Sequence, residues 1–490
     1  MNETRQNQNE KLKMKKRYLL PVFYILHFTL SAQTTKQKLQ QAYQEFEADS
    51  QVKHALNSLY VINAKTGAVV FEKNSQIGLA PASTQKIITA TTAFELLGKD
   101  YRYKTELGYD GKIESGILKG NLYIVGNGDP TLGSWRYKNA SEDAILSEFT
   151  ESIFSRQIKT IEGSTVPLSQ SWETQTIPNG WIWQDIGNYY GAGASAINWR
   201  ENQFDVQLES SNKIGTKVSI TATDPKLFEV SLTSELKSAE EASGDNAYIY
   251  LPPHSTAGII RGTIPVNQRS FKISGSLPDP PKQLIYSLLK YLSVKMHGSS
   301  VTESTNGITQ KQKRRFDGNE HKTLNKMVSL HTHYSPPLDS IIFWFLQKSI
   351  NLYGEALVKT FAYEKRGFGA TDTGVAIVKD FWNQKGLDEN ELNIYDGSGL
   401  SPLNRVTTHA QAEVLKFAMQ QSWFPDFFKA LPEYNGMKMK SGSISDVKGF
   451  CGYHTSGDGT QYIFSFLVNN YNGLSSGVVK KMYKVLDSLK

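Results

Sequence analysis

The sequence predicts an α/β (α+β) protein in which an antiparallel sheet, built from both ends of the chain, is flanked by helices and interrupted by a long insertion of mixed β character. Strand patterns occur near both ends of the chain, at 59–71 and 462–468. Helical spacing follows the first of them and returns after residue 331, whereas residues 104 to about 324 carry short alternating strands and turn clusters. The chain has 490 residues, and this length favours two or three domains.

The first predicted elements are a hairpin and a helix. Strands at 59–62 and 68–71 flank the turn Asn63–Gly67, which is typical of a hairpin. That turn contains the sequence K-T-G. We interpret these residues as turn-forming and not as a catalytic motif, because they lie in a tight connection. Ser83 then begins an apolar stretch that predicts a buried helix to Leu97, closed by Gly98.

The insertion and the C-terminal part differ in pattern. Gly120–Val125 is typical of the short strands of the insertion, and a helix is predicted near its end over 283–296. Beyond it, amphipathic spacing predicts helices over 338–351, 355–363 and 374–384, a strand over 462–468 and a closing helix over 478–489.

The N-terminus predicts export. A basic segment, Lys11–Arg17, precedes an apolar run of about 13 residues and the small residues of Ser31–Gln33, the order of a secretory signal. The run is shorter than the roughly 20 residues that span a bilayer, so cleavage after Ala32 and a periplasmic location are favoured. An uncleaved anchor, with loose membrane association, is the alternative, and translation could start at Met1 or Met14.

Charge and cysteine content argue against a nucleic-acid-binding protein and against a disulfide-stabilised one. The net charge is +7, but residues 1–32 hold six basic and two acidic side chains, a net of four positive charges whose removal leaves +3. A nucleic-acid partner is therefore not predicted. A single cysteine, Cys451, excludes an intramolecular disulfide framework, and its apolar surroundings favour a buried structural thiol over a catalytic one.

Three motifs occur in a fixed order: Ser83-Thr-Gln-Lys86, Ser349-Ile-Asn351 and Lys440-Ser-Gly442. They match the S-x-x-K, S-x-N and K-[ST]-G signature of penicillin-interacting serine acyl-transferases. The first pattern alone is unspecific, and none of its five other matches begins a long apolar helix: Ser50/Lys53, Ser210/Lys213, Ser234/Lys237, Ser287/Lys290 and Ser445/Lys448.

The residue types suit nucleophilic catalysis. A lysine three residues after a serine shares its helix face, so Lys86 can take the proton of Ser83 if its pKa is lowered. Burial or a neighbouring cation would lower it, and Lys440 could supply that charge. Ser349 would relay a proton to the leaving amine, and Asn351 would hydrogen-bond the substrate amide.

The third motif predicts a strand beside which a peptide can lie. Gly442 permits close backbone approach. Lys440 and Ser441 suit a substrate carboxylate, and the N–H groups of Ser83 and Ser443 could form an oxyanion hole.

From these motifs, the sequence resembles the D-alanyl-D-alanine carboxypeptidase/endopeptidase family, the class C low-molecular-mass penicillin-binding proteins. Gly126–Leu132, Asp396–Ser401 and Trp181–Asp185 also look like family stretches. The resemblance implies cleavage of peptidoglycan stem peptides, inhibition by β-lactams, no cofactor, and a transpeptidase/β-lactamase-like domain interrupted by two nested, mostly-β inserted domains. The implied division is a signal peptide 1–32, a catalytic domain 33–103 and 325–490, a domain II 104–204 and 263–324, and a nested domain III 205–262.

The resemblance also implies a pocket for the side chain of the stem peptide. Asp185 and Tyr190 have the spacing of the pair that recognises diaminopimelate in such enzymes. The arginine that completes this pocket is replaced here by Pro402, and Arg405 is the candidate substitute. Neither the side-chain selectivity nor the balance of carboxypeptidase and endopeptidase action follows from the sequence.

Two alternatives remain open. A β-lactamase would carry the same motifs and a Glu-x-x-Leu-Asn loop, which Glu389–Asn393 matches literally, although we interpret it as an acidic turn. A non-catalytic peptidoglycan-binding protein of the same fold is the second alternative. His331 and His333 are typical metal ligands, but no third ligand with suitable spacing is evident, so no metal site is predicted.

Overall fold

The computed structural model describes residues 33–169, 171–297 and 326–490. The predicted export signal, residues 1–32, and the predicted domain boundary between residues 324 and 325 lie outside the described residues. In the described ranges, no helix combines the length and the apolar character needed to cross a membrane.

The structure contains α-helices and short 3₁₀ turns, one of which, Ala82–Gln85, leads directly into the second helix. The described helices are α1 Thr35–Ala48, α2 Lys86–Leu97, α3 Glu142–Ser155, α4 Trp183–Ile186, α5 Pro280–His297, α6 Leu338–Gln347, α7 Asn351–Arg366, α8 Thr371–Gln384, α9 Thr408–Ala418, α10 Phe424–Ala430 and α11 Ser475–Leu486.

The strands are distributed over several sheets. The described strands are β1 Leu56–Asn63, β2 Val69–Lys73, β3 Lys104–Tyr109, β4 Lys112–Glu114, β5 Ile117–Lys119, β6 Leu122–Gly126, β7 Thr160–Ile161, β8 Thr165–Leu168, β9 Gln203–Glu209, β10 Ser219–Asp224, β11 Ser231–Ser234, β12 Lys237–Ala239, β13 Asn246–Tyr250, β14 Ala257–Pro265, β15 Phe271–Ser276, β16 Val328–Tyr334, β17 Leu392–Asn393, β18 Arg405–Val406, β19 Glu433–Tyr434, β20 Met437–Ile444, β21 Val447–Thr455 and β22 Gln461–Asn469.

The main sheet has the order β19-β20-β21-β22-β1-β2, and every pair in it is antiparallel. Strands from both ends of the chain therefore form one sheet, which confirms the predicted architecture. Successive residues of β1 alternate between its two faces. Tyr60 and Ile62 join the core formed with α2 and α6–α10, whereas Leu59 and Val61 join the core formed with α1 and α11.

The insertion is made mostly of strands. Its sheets have the orders β16-β3-β6-β8, β4-β5-β7, β10-β9-β15 and β11-β14-β12, with β13 paired to β14. One apolar cluster runs from Leu107 to Leu292 through these sheets, α3 and α5. The predicted boundaries at 204/205 and 262/263 fall within β9 and β14.

One predicted helix is wrong in its extent. The spacing over 338–351 predicts a continuous helix, but α6 ends at Gln347 and α7 begins at Asn351. Between them Ser349 has φ +57°, a left-handed conformation that cannot continue a right-handed helix. The break directs Ser349 and Asn351 towards the cleft described next. The predicted closing helix likewise begins earlier, at Ser475, and ends in a 3₁₀ turn over 487–489.

Candidate active site

Ser83 and Lys86 lie where the main sheet, α2 and the insertion meet. Ser83 is in the 3₁₀ turn and Lys86 is the first residue of α2, so they are one helical turn apart. Lys86 Nζ lies 2.9 Å from Ser83 Oγ. Ala82, just before the serine, has φ +47°, a strained conformation for a non-glycine residue and one that clusters at functional sites.

Lys86 is buried in a polar cage. Its Nζ also lies 2.6 Å from Asn351 Oδ1 and 2.8 Å from the carbonyl oxygen of Ser398. Burial, and then the positive charge of Lys440, lower the pKa of Lys86 well below its ordinary value. A lysine with a lowered pKa can be neutral near pH 7 and accept the proton of the adjacent serine.

Lys440 and Ser349 form the second pair. Lys440 Nζ donates to Ser349 Oγ at 3.0 Å and to the carbonyl oxygen of Ser441 at 2.8 Å. Burial lowers the pKa of Lys440 to about 7. The three sequence motifs therefore converge, although 266 positions separate Ser83 from Ser349.

Asn351 connects this pair to the insertion. Its Oδ1 accepts from Lys86, and its Nδ2 donates to the carbonyl oxygen of Tyr190 at 2.7 Å. The amide thus fixes the position of the lysine amine while it holds the segment around Tyr190 against the cleft.

The third motif lies on β20 and packs against the nucleophile. A Cβ atom on Gly442 would lie 2.5 Å from Pro81 O and 3.0 Å from Ser83 N, so only glycine fits there. Beyond Lys438 the outer edge of β20 pairs with no other strand in the described part of the chain. An extended peptide can add to such an edge.

A cleft of about 430 Å³ opens at this point. Six predicted residues line it, namely Ser83, Asp185, Tyr190, Ser349, Asn351 and Ser443. Lys86 and Lys440 reach Ser83 and Ser349 from the buried side, and Ser441 and Gly442 belong to the strand that forms the wall. Arg405 does not line the cleft.

The predicted side-chain pocket is present only in part. Asp185 and Tyr190 are hydrogen-bonded to each other, and burial raises the pKa of both. Arg405 is turned away, because its guanidinium donates to the carbonyl oxygens of Pro402 and Asn404. Pro402 itself lines the cleft.

A different arginine, which the sequence analysis missed, lines the same cleft. Arg136 Nε donates to Glu201 Oε1 at 2.9 Å, and Glu201 also accepts from Tyr353 Oη at 2.8 Å. Arg136 lies 49 positions or more from every predicted site residue in the chain. No local pattern could have identified it.

Two buried carboxyl groups beneath Lys86 were also missed. Burial, and then Asp396, raise the pKa of Glu355 to about 8. Both Asp396 oxygens accept hydrogen bonds, among them one from Trp181 Nε1 at 2.9 Å and one from the Ser401 N–H at 2.7 Å. The sequence analysis singled out the stretch Asp396–Ser401 as similar to the family, but it gave neither carboxyl group a role.

The structure also places the residues of the open alternatives. Glu389 lies in a short 3₁₀ turn, and it does not line the cleft. Cys451 is buried within β21. His331 and His333 have a third potential ligand that the sequence did not reveal, because Glu148 reaches them from a helix 183 positions away.

Comparison with known proteins gave several matches. The model of a family described as the D-Ala-D-Ala carboxypeptidase 3 (S13) family matches residues 39–489. A D-alanyl-D-alanine carboxypeptidase of Actinomadura sp. strain R39 is 26% identical over 456 residues, which cover 87% of this chain and 80% of that protein. The D-alanyl-D-alanine carboxypeptidase DacB of Haemophilus influenzae is 23% identical over 434 residues, with 84% of each chain covered.

The same architecture occurs among solved structures. The crystal structure of penicillin binding protein 4 (dacB) from Haemophilus influenzae superposes with a TM-score of 0.74 at 20% identity. The superposition covers 92% of this chain and 98% of that one. This likeness confirms the predicted fold class.

Proposed function

The chain belongs to the D-Ala-D-Ala carboxypeptidase 3 (S13) family, and we propose that it hydrolyses the D-alanyl-D-alanine bond of peptidoglycan stem peptides with Ser83 as nucleophile. It is a serine hydrolase of the D-alanyl-D-alanine carboxypeptidase class. The observation that carries the assignment of Ser83 is its 2.9 Å contact with Lys86, a buried lysine whose pKa is strongly lowered.

Acylation begins with proton transfer. Neutral Lys86 takes the proton of Ser83 Oγ, and the oxygen attacks the carbonyl carbon of the penultimate D-alanine. The negative charge that develops on the carbonyl oxygen is stabilised by the N–H groups of Ser83 and Ser443, each typically worth about a hundredfold to a thousandfold in rate.

Collapse of the tetrahedral intermediate breaks the peptide bond. Ser349 gives its proton to the departing amine of the terminal D-alanine and is reprotonated through Lys440, 3.0 Å away. Lys440 and Ser441 lie on β20 beside the free edge, where the carboxylate of the substrate would bind. A water molecule then hydrolyses the ester, Ser83 regains its proton from Lys86, and the shortened stem peptide leaves after the free D-alanine.

β-Lactams fit the same first step. Ser83 opens the lactam ring, but the amine that leaves the carbonyl stays attached to the rest of the drug. The acyl-enzyme therefore persists, and the drug inhibits. The Haemophilus influenzae relative has been solved in complex with a β-lactam.

Recognition of the stem peptide involves both parts of the chain. Asp185 and Tyr190 line the cleft from the insertion and suit a cationic side-chain group. Arg136 lines the same cleft, and a guanidinium suits a carboxylate of the substrate. Trimming of free stem peptides and cleavage of cross-links use the same acyl-enzyme, and we assign the chain to both reactions.

The location of the substrate requires export. Residues 1–32 have the order of a secretory signal, and we place the mature protein in the periplasm, where peptidoglycan lies.

Intact-mass spectrometry with benzylpenicillin tests this function. We expect one drug molecule bound per chain in the wild type and none in Ser83→Ala. Ser287→Ala is the matched control, because Ser287 also precedes a lysine by three positions but lies within α5. It should acylate like the wild type.

Two outcomes would contradict the proposal. Rapid loss of the drug without a persistent adduct would indicate a β-lactamase. Absence of any reaction in a folded wild type would indicate a non-catalytic binding protein.

A further inference from the structure

A second group of chemically reactive side chains lies in the insertion, where α3 packs against β16. His331 and His333 are two positions apart on β16, so their side chains leave the same face of the sheet. Glu148 on α3 faces both, because its Oε2 lies 3.2 Å from His331 Nε2 and 2.9 Å from His333 Nδ1. Across residues 33–169, 171–297 and 326–490, this is the one group of three potential metal ligands whose ligand atoms all lie within 4.8 Å of one another.

Hydrogen bonds among Glu148, His331 and His333 leave one buried ring nitrogen of His333 without a partner in the described part of the chain. His333 is buried, with 5% of its side chain exposed, and its Nε2 has no hydrogen-bond partner among the described residues. If Nδ1–H donates to Glu148, Nε2 is a buried acceptor without a donor, which costs free energy. His333 also interacts electrostatically with the buried Asp129, whose Oδ2 lacks a partner in the same described set.

A metal ion on His333 Nδ1 would change the role of the second ring nitrogen, Nε2. The ring proton would then lie on Nε2, so this nitrogen would no longer be a buried acceptor without a donor.

We propose that Glu148, His331 and His333 bind one divalent transition-metal ion, with Zn²⁺ the best match. Two imidazoles and a carboxylate form a ligand set that zinc prefers, and tetrahedral coordination at about 2.0–2.1 Å places ligand atoms about 3.3 Å apart. The separations of 3.2 and 2.9 Å between Glu148 Oε2 and the two histidine nitrogens need only a small expansion, and the two nitrogens lie within 4.8 Å of each other. His331 and Glu148 have side chains 30% and 36% exposed, which leaves the fourth position open to water.

The bound ion would fasten α3 to the sheet that carries β16. It takes no part in the chemistry at Ser83, and the inference does not depend on the proposed function. Because the ion binds the folded protein, it should also raise the thermal stability.

Metal titration of the purified full chain without a polyhistidine tag tests the proposal. After removal of metal with a chelator, Co²⁺ should bind with one-to-one stoichiometry and give the intense visible absorption of tetrahedral coordination, and Zn²⁺ should displace it. Glu148→Gln and His331→Ala should weaken binding by about tenfold or more. His409→Ala is the matched control, because His409 is likewise a partly exposed histidine hydrogen-bonded to one glutamate, Glu391, and should bind metal like the wild type.

Two results would overturn the inference. One is a wild type that takes up neither ion. The other is binding that survives His331→Ala. If a variant fails to fold, X-ray absorption of the wild-type zinc complex decides, since two imidazole ligands are expected and their absence contradicts the site.

Discussion

Charged side chains around the catalytic cleft and at the outer surface of the insertion lie in different environments. Around the cleft, Lys86, Lys440, Glu355 and Asp396 are all at most 1% exposed. In the insertion, the ion pair of Arg261 and Glu235 has side chains 57% and 48% exposed. Burial of a charge is costly and changes its protonation, whereas a solvated pair contributes little. Burial of these charged groups therefore costs folding stability, and the same burial lowers the pKa of Lys86 and of Lys440.

Loss of the buried base should have the largest effect. Lys86→Ala should slow acylation by benzylpenicillin by about 10²–10⁴-fold, the typical contribution of a positioned general base. Lys290→Ala, which removes the lysine of the surface-exposed match in α5, should leave the rate unchanged. Stopped-flow or quenched intact-mass kinetics gives both rates, and a Lys86→Ala enzyme of near wild-type rate would contradict the role of this lysine.

Displacement of the strand beside the nucleophile should have the next largest effect. In Gly442→Ala the new Cβ meets Pro81 O and Ser83 N, so β20 must move away from Ser83. A shift of about 1 Å can cost about a hundredfold in rate, and the same acylation assay measures it. Gly457→Ala is the control, since no atom lies within 4 Å of its added Cβ. Equal rates for the two variants would show that close packing at Gly442 is unimportant.

Glu355→Gln should change the pH dependence of the acylation rate more than the rate at pH 7. Glu355 has a pKa raised to about 8, so it is mostly neutral at pH 7 and charged above pH 8. Its negative charge raises the pKa of Lys86 and thus favours the inactive ammonium. Near pH 7, Glu355→Gln should acylate like the wild type, and above about pH 8 it should become several-fold faster than the wild type.

The ratio of the two rates across the pH range is the measurement for this variant. Glu364→Gln, on the exposed end of α7, should give a ratio near one at every pH. If the ratio for Glu355→Gln does not change with pH, the charge of Glu355 does not control the protonation of Lys86, and the prediction is wrong.

The solvated pair should have the smallest effect. Arg261→Ala removes an exposed ion pair, and such pairs are screened by water and salt. Neither the acylation rate nor the melting temperature should change measurably. A clear loss of activity would show that this remote surface pair influences the cleft.

The sequence predicted the parts of the site that local patterns encode. The three motifs contain Ser83, Lys86, Ser349, Asn351 and Lys440, and the structure brings these residues together. The apolar stretch after Ser83 predicted α2 and its end at Gly98, whose φ of +81° is accessible to glycine.

Features that depend on distant contacts escaped prediction. Arg136 enters the cleft, and Glu148 reaches the histidines of β16, only because remote segments pack together. The break at Ser349 also escaped prediction, since its neighbours keep a helical apolar pattern on both sides. The buried Glu355 is typical of this class of error, because a charged residue on a helix is ordinarily expected to face water.

The main sheet joins strands from both ends of the chain, and this determines when the protein can become active during its synthesis. β1 pairs along its whole length with β22, from which it is separated by roughly 400 residues, and pairings between such distant segments form late in folding. Lys440 and the strand wall also come from the last 54 residues of the chain, since β20 begins at Met437. A growing polypeptide already carries Ser83 and Lys86 long before it can assemble a cleft around them. The peptidase is therefore inactive until its final strands are made, with no separate inhibitory segment required for that delay.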